Sequence, residues 1–128
     1  MIKQLSLQRS ASQTEVSLDR IAEIYRELEE KKLPKGYWIV HIEVKDPAGY
    51  ENYENASSKI LSKYGAKFLV RGGEQITKEG AEFMRNVVVE FPSYEIALQA
   101  YESDDYQQAL AVLDGGAERA YAVVEGYD

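Results

Sequence analysis

Apolar and polar positions alternate along this chain with two different periods, and the period changes several times beyond the first quarter of the sequence. Residues 37–44 alternate with period two, which is typical of a strand. Asp46 then stands at a cap position and Pro47 in the first turn of a stretch with helical period, which Gly65 ends. Residues 66–71 return to the strand period, so this half predicts strand, helix and strand.

The second half of the chain follows the same plan. A polar connection at residues 74–82 suits a link between neighbouring antiparallel strands, and residues 84–91 form a third strand with three consecutive valines at its centre. Residues 92–93 begin the second long helix. The Ser-Asp-Asp run at 103–105 predicts a break that caps a shorter helix, and residues 119–125 form the last strand.

Two successive strand–helix–strand halves predict an α+β fold of the ferredoxin-like βαββαβ type, with a four-stranded antiparallel sheet and the helices on one face. The side chains expected to face the helices are apolar: Trp38, Val40, Ile42, Val44, Phe68, Val70, Val87, Val89 and Phe91. The side chains expected on the opposite face are mixed: Tyr37, Ile39, His41, Glu43, Leu69, Arg71, Asn86, Val88, Glu90, Tyr121 and Val123. Such a face is too apolar for water and too polar for a core. A second copy that packs its own sheet opposite is the simplest cover, so we expect a homodimer with a cleft between the sheets.

The N-terminal quarter of the chain does not belong to this pattern. Residues 1–12 are polar and patternless, and residues 12–15 form a potential capping box for a helix that ends before Pro34. This helix carries one apolar stripe, which must pack on its own domain or on a partner subunit. We therefore expect an N-terminal arm and helix at residues 1–34 and one α+β domain at residues 35–128.

Composition narrows the class of protein further. The 128 residues carry a net charge of −7, and all of the excess lies beyond residue 34, which argues against nucleic acid as a partner. No apolar run approaches the roughly 20 residues of a membrane-spanning helix, and no apolar block suggests a signal peptide. The chain has no cysteine and one histidine, so we expect no metal site and no cofactor. The predicted location is the cytoplasm.

The polar residues of the open face are the candidates for chemistry. His41 could act as a general base, Arg71 could hold a carboxylate with its planar fork, and Glu90 would pair with Arg71 or titrate. The alternatives remain open: an interface histidine without chemistry, and a salt bridge from Arg71 to Glu90 or Glu43 across the sheet. The candidate catalytic residues are thus His41, Arg71 and Glu90. The candidate ligand contacts are Tyr37, His41, Arg71, Asn86 and Tyr121.

Several short motifs lie between residues 36 and 126. They are Gly36-Tyr37-Trp38, Asp46-Pro47 with Tyr50 and Tyr53, residues 64–73, Glu90-Phe91-Pro92-Ser93, Tyr101 with Ser103 and Tyr106, and Val124-Glu125-Gly126. Together these motifs resemble a bacterial family of domains of unknown function in the dimeric α+β barrel superfamily. The resemblance implies a ferredoxin-like fold and a dimer whose sheets face each other around a cleft. Relatives in the superfamily include cofactor-independent monooxygenases, haem-degrading enzymes and lactone isomerases.

Three functions follow as hypotheses. In the first, a homodimer binds a small, partly apolar, anionic molecule, with Arg71 on the anionic group, His41 and Glu90 on other polar atoms, and Tyr37 and Tyr121 as walls. In the second, a monooxygenase or isomerase uses His41 as the general base while Arg71 stabilises an enolate. In the third, the protein is a non-catalytic interaction module that makes contact through its N-terminal helix.

Overall fold

A computed structural model describes residues 18–31 and 33–127. The elements in chain order are α1 (Leu18–Glu30), β1 (Gly36–Val44), α2 (Pro47–Lys63), β2 (Lys67–Arg71), β3 (Arg85–Phe91), α3 (Tyr94–Glu102), α4 (Asp104–Leu113) and β4 (Ala117–Glu125). From β1 onward this is the predicted order, with the second helix divided at Ser103. The predicted arm at residues 1–12 and the capping box at residues 12–15 lie outside the described residues.

The four strands form one antiparallel sheet in the order β2-β3-β1-β4. The first strand is central and pairs with β3 on one side and β4 on the other, which is the ferredoxin-like arrangement that the sequence predicts. No helix within residues 18–31 and 33–127 is long and apolar enough to cross a membrane.

The core lies between the sheet and the helices α2, α3 and α4. The predicted apolar face of β1 is confirmed, since Trp38, Val40 and Ile42 are buried together with the inward residues of β3. Trp38 is only 2% exposed, and its indole Nε1 donates to the Ala97 carbonyl oxygen at 2.9 Å. This bond satisfies the one polar atom of a large buried ring and ties α3 to the central strand.

Strand β2 departs from the predicted alternation because it contains a bulge. Phe68 pairs with Val89, but the next pairs are Val70 with Val88 and Arg71 with Val87, so the register shifts at Leu69. A bulge adds one residue to one strand and moves every later side chain to the other face. The predictions for Val70 and Arg71 are therefore wrong: Val70 lies on the open face, and Arg71 lies on the helix-covered face.

Strand β4 also corrects the predicted faces. Tyr121 pairs with Val40 and Val123 pairs with Trp38, so both share the helix-covered face with the core. The Tyr121 ring lies 5.4 Å from the Trp38 ring and 5.1 Å from the Tyr101 ring, between centroids. Packing against these rings sets the register of β4, and the prediction that Tyr121 and Val123 lie on the open face is wrong.

Helix α1 packs at one end of the sheet. The Tyr25 hydroxyl donates to the Gly65 carbonyl oxygen at 2.7 Å, and Lys67 Nζ lies 4.5 Å from the centre of the Tyr25 ring. Ile21 and Tyr25 of the helix stripe thus contact their own chain, whereas Leu18 at its start is 81% exposed. The division into residues 1–34 and 35–128 stays a prediction.

Candidate functional site

His41 and Asn86 form a polar pair on the open face of the sheet. They are cross-strand partners of β1 and β3, and His41 Nδ1 donates to Asn86 Oδ1 at 2.6 Å. Asn86 Nδ2 in turn donates to Gln75 Oε1 at 2.5 Å. The chain of hydrogen bonds fixes the imidazole by one nitrogen and ties the connection between β2 and β3 to the sheet.

The connection between β2 and β3 also supplies an aromatic wall for the histidine. The Phe83 ring stacks on the imidazole with centroids 5.5 Å apart and an interplanar angle of 29°. Gln75 Nε2 donates to the Phe83 carbonyl oxygen at 2.6 Å, which holds this wall in place. His41 remains exposed, so its Nε2 is available to a polar atom of a ligand.

Tyr37 and Glu90 form a second polar pair at the other end of the open face. Burial raises the pKa of Tyr37, and the Glu90 carboxylate, which accepts its hydrogen bond, raises it further. Burial and the same carboxylate also raise the pKa of Tyr25. Both hydroxyls therefore stay protonated and donate to their neighbours at neutral pH. Tyr37 and His41 are four residues apart on β1, roughly 13 Å by strand rise, so Glu90 does not lie beside His41.

An apolar row crosses all four strands between these two polar pairs. It consists of Val70, Val88, Ile39 and Ala122, each paired with the next across the sheet. Ile39 is 36% exposed and Val70 is 42% exposed, so water reaches part of this row in a single chain. The open face thus has an apolar centre and hydrogen-bonding groups at both ends.

Arg71 and Tyr121 lie on the other side of the sheet, away from His41. Arg71 Nη2 donates to Ser58 Oγ at 2.9 Å, and its guanidinium carbon stacks 4.0 Å from the centre of the Phe68 ring. Among the residues that the structure describes, Arg71 forms no ion pair with Glu90 or Glu43. The three predicted catalytic residues are thus not brought together within one chain.

Both residues line a pocket between α2 and the sheet, and reasoning from the sequence missed most of this pocket. Its volume is about 40 Å³. The signal that could have found it is the alternation of Arg119, Tyr121 and Val123, which becomes visible once β4 is placed in register. The lining residues are Trp38, Val40, Ile42, Tyr50, Tyr53, Glu54, Ser57, Leu61, Phe68, Arg71, Val87, Val89, Arg119 and Tyr121.

Arg119 is the centre of a hydroxyl cluster in this pocket. Its Nη1 donates to Tyr53 Oη at 3.1 Å and to Tyr106 Oη at 3.5 Å. The hydroxyl oxygens of Tyr53 and Tyr106 lie 2.5 Å from each other. Burial raises the pKa of Tyr53 and of Tyr121, and the neighbouring phenols raise both further, against the opposing effect of Arg119. The cluster therefore presents neutral hydroxyls around a cation. Within residues 18–31 and 33–127, no group of three or more His, Asp or Glu side chains could hold a metal ion.

The fold and the exposed sheet face define the class of protein, a ferredoxin-like α+β domain. The sequence profile of the family "Domain of unknown function (DUF1330)" matches residues 35–127, so the chain belongs to this family. The predicted recognition of a family of unknown function is confirmed. No curated protein matches the sequence significantly.

Solved structures share the fold at low sequence identity. A protein of unknown function from Rhodopseudomonas palustris is 11% identical with a TM-score of 0.63, over 83% of this chain and 93% of that one. A dimeric ferredoxin-like protein of unknown function from Thermobifida fusca YX is 16% identical with a TM-score of 0.51, over 73% of this chain and 92% of that one. SnoaB, a cofactor-independent oxygenase from Streptomyces nogalater, is 8% identical over 74% of this chain and 95% of that one. The TM-score of this match is 0.49.

Proposed function

We propose that this protein forms a homodimer through the open face of its sheet and binds a small, partly apolar molecule in the cleft between the two sheets, beside His41. The observation that carries this proposal is the exposed apolar row of Val70, Val88, Ile39 and Ala122. A continuous apolar row across a whole sheet is typical of a surface that another chain covers.

A second copy of the chain is the occupant that best suits this face. Burying a valine or isoleucine side chain completely contributes roughly 1.5–3 kcal/mol to the free energy of association. In a twofold dimer the partly exposed side chains of the row would be buried on both copies, so this contribution counts once for each copy. The similar protein from Thermobifida fusca YX is described as dimeric, which supports the same choice here. Packed sheets lie about 10 Å apart, which leaves room for a ligand where small side chains such as Ala120 meet.

The ligand would lie against the pair of His41 and Asn86. Asn86 holds one imidazole nitrogen, so Nε2 can meet a polar atom of the ligand while Phe83 and Ala120 provide apolar contacts. Arg71 cannot hold an anionic group here, because it lies on the other side of its own sheet. A monooxygenase or isomerase reaction would need a cation beside His41 to stabilise the enolate, and Arg71 is too far away to serve as that cation because it lies on the other face. We therefore propose that the protein binds its ligand without a reaction.

Native mass spectrometry of the protein purified from cells tests this function. We expect a dimer that carries a reproducible additional mass, and we expect His41→Ala to remove this mass while the dimer persists. Gln108→Ala is the matched control, since Gln108 is exposed on α4. A wild-type dimer without any added mass, or an added mass that His41→Ala retains, would refute binding beside His41.

A further inference from the structure

We propose that the pocket between α2 and the sheet is a second site, which binds a small organic carboxylate with Arg119 as its principal contact. This site lies within one chain and on the opposite side of the sheet from His41. It is therefore independent of the homodimer and of the ligand proposed above.

Arg119 is a half-buried cation that has no anionic partner among the described residues. No carboxylate lies within ion-pair distance of it among residues 18–31 and 33–127, and its partners are the hydroxyls of Tyr53 and Tyr106 and the rings of Tyr53 and Tyr121. These partners do not compensate the positive charge of Arg119, although a charge that is partly withdrawn from water is normally paired. Among the described residues, the hydrogen-bond partners of the guanidinium all bind Nη1, so the other donors can meet an anion.

Two further arginines make the region around the pocket positive. Arg71 lies in the pocket wall on β2, and Arg85 packs against two lining residues, Tyr50 and Glu54. Arg85 Nη2 donates to Glu54 Oε2 at 2.9 Å, but its buried Nε has no hydrogen-bond partner. The pocket lining thus contains two guanidinium groups and one carboxylate, and this carboxylate is already paired with Arg85, in a chain whose net charge is −7. This local excess of positive charge attracts an anion and opposes the charge of the molecule as a whole.

The size and walls of the pocket select the kind of anion. Its volume of about 40 Å³ holds about three water molecules at roughly 10–15 Å³ each, and a carboxylate group has the same number of heavy atoms. Arginine matches a planar carboxylate with two parallel hydrogen bonds, and tyrosine hydroxyls add donors to the same oxygens. The remaining walls are largely apolar, with Leu61, Phe68 and Val87 toward Arg71. The pocket therefore suits a carboxylate that carries no more than a methyl group, as in acetate, and this methyl group would contact the apolar walls.

Trp38 gives a direct measurement of binding in this pocket. It is the only tryptophan of the chain, it is buried, and it lines the pocket. We would titrate the full chain with acetate and follow the fluorescence of Trp38, with acetamide as the neutral probe of nearly the same shape. We expect a saturable change with acetate and a much weaker one with acetamide.

Variants assign the effect to the pocket. Loss of one charge-assisted contact predicts roughly ten- to hundredfold weaker acetate binding for Arg119→Gln. If this variant does not fold, as judged by circular dichroism, Arg71→Gln takes its place, since Arg71 is exposed, and severalfold weaker binding is expected. Ile39→Glu, on the open face, should bind acetate as the wild type does. A chain that does not dimerise would therefore still bind acetate in this pocket.

Three results would overturn the carboxylate site: no saturable signal from Trp38 with acetate, equal binding of acetate and acetamide, or unchanged acetate binding after substitution of the arginine tested.

Discussion

Gly36, the first residue of β1, shows how strongly a single backbone position determines the packing of this domain. A Cβ built on Gly36 would lie 2.5 Å from the Ser93 carbonyl oxygen and 2.6 Å from the Tyr94 Cα. These are backbone atoms at the start of α3, so the contact cannot be relieved by rotation of a side chain. The absence of a side chain at Gly36 therefore allows α3 to reach the central strand.

We predict that Gly36→Ala lowers the free energy of unfolding by about 2–3 kcal/mol, because the strand and the start of α3 must move apart. Gly73→Ala is the control. Nothing lies within 4 Å of a Cβ at Gly73, so we expect a change within about 0.5 kcal/mol. Urea denaturation measures both values. Equal effects of the two substitutions would show that the close approach at Gly36 is not what matters.

At the scale of elements, the joint between α3 and α4 depends on Ser103. The Ser103 hydroxyl accepts from the Tyr106 backbone N–H at 3.1 Å and donates to the Ala100 carbonyl oxygen at 2.9 Å. One side chain thus ends α3 and begins α4. Because Tyr106 lies in the first turn of α4, this joint also positions the phenol that contacts Arg119.

We predict that Ser103→Ala lowers the free energy of unfolding by about 1 kcal/mol, the usual cost of a lost N-cap. Asp46→Ala serves as the comparison, since Asp46 stands at the N-cap of α2 but forms no cap hydrogen bond with its side chain. We expect a loss of less than about 0.5 kcal/mol for it. Guanidinium denaturation checks both, and a larger loss for Asp46→Ala would contradict the observed capping.

The elements also explain which parts of the structure could be predicted. The faces of β1 and β3 could be assigned because apolar and mixed positions alternate cleanly there. In β4 both sets contain apolar residues, so period alone does not decide its face, and Tyr121 was misplaced by one position. The bulge in β2 leaves no reliable mark in the sequence, so the prediction from strict alternation placed Arg71 on the open face instead of the helix-covered face. The pair of His41 and Asn86 was therefore predictable, whereas the cluster around Arg119 was not.

At the scale of the whole molecule, the two faces of one sheet differ in their surroundings and in their proposed roles. The helix-covered face contains the core and the pocket with Arg119. The open face exposes an apolar row between two polar pairs, and its proposed cover is a second copy of the chain. The dimer is the central claim, because the cleft beside His41 exists only if two sheets face each other.

Sedimentation equilibrium of the purified protein tests this claim most directly. The chain has a mass of 14.5 kDa, and we predict twice this mass for the wild type and the mass of one chain for Ile39→Glu, because a buried unpaired carboxylate at the centre of the row opposes association. Val112→Glu is the matched control, since Val112 is an apolar residue on α4 with 46% exposure, and it should remain dimeric. A wild type with the mass of one chain, or an Ile39→Glu variant that remains a dimer, would contradict the account.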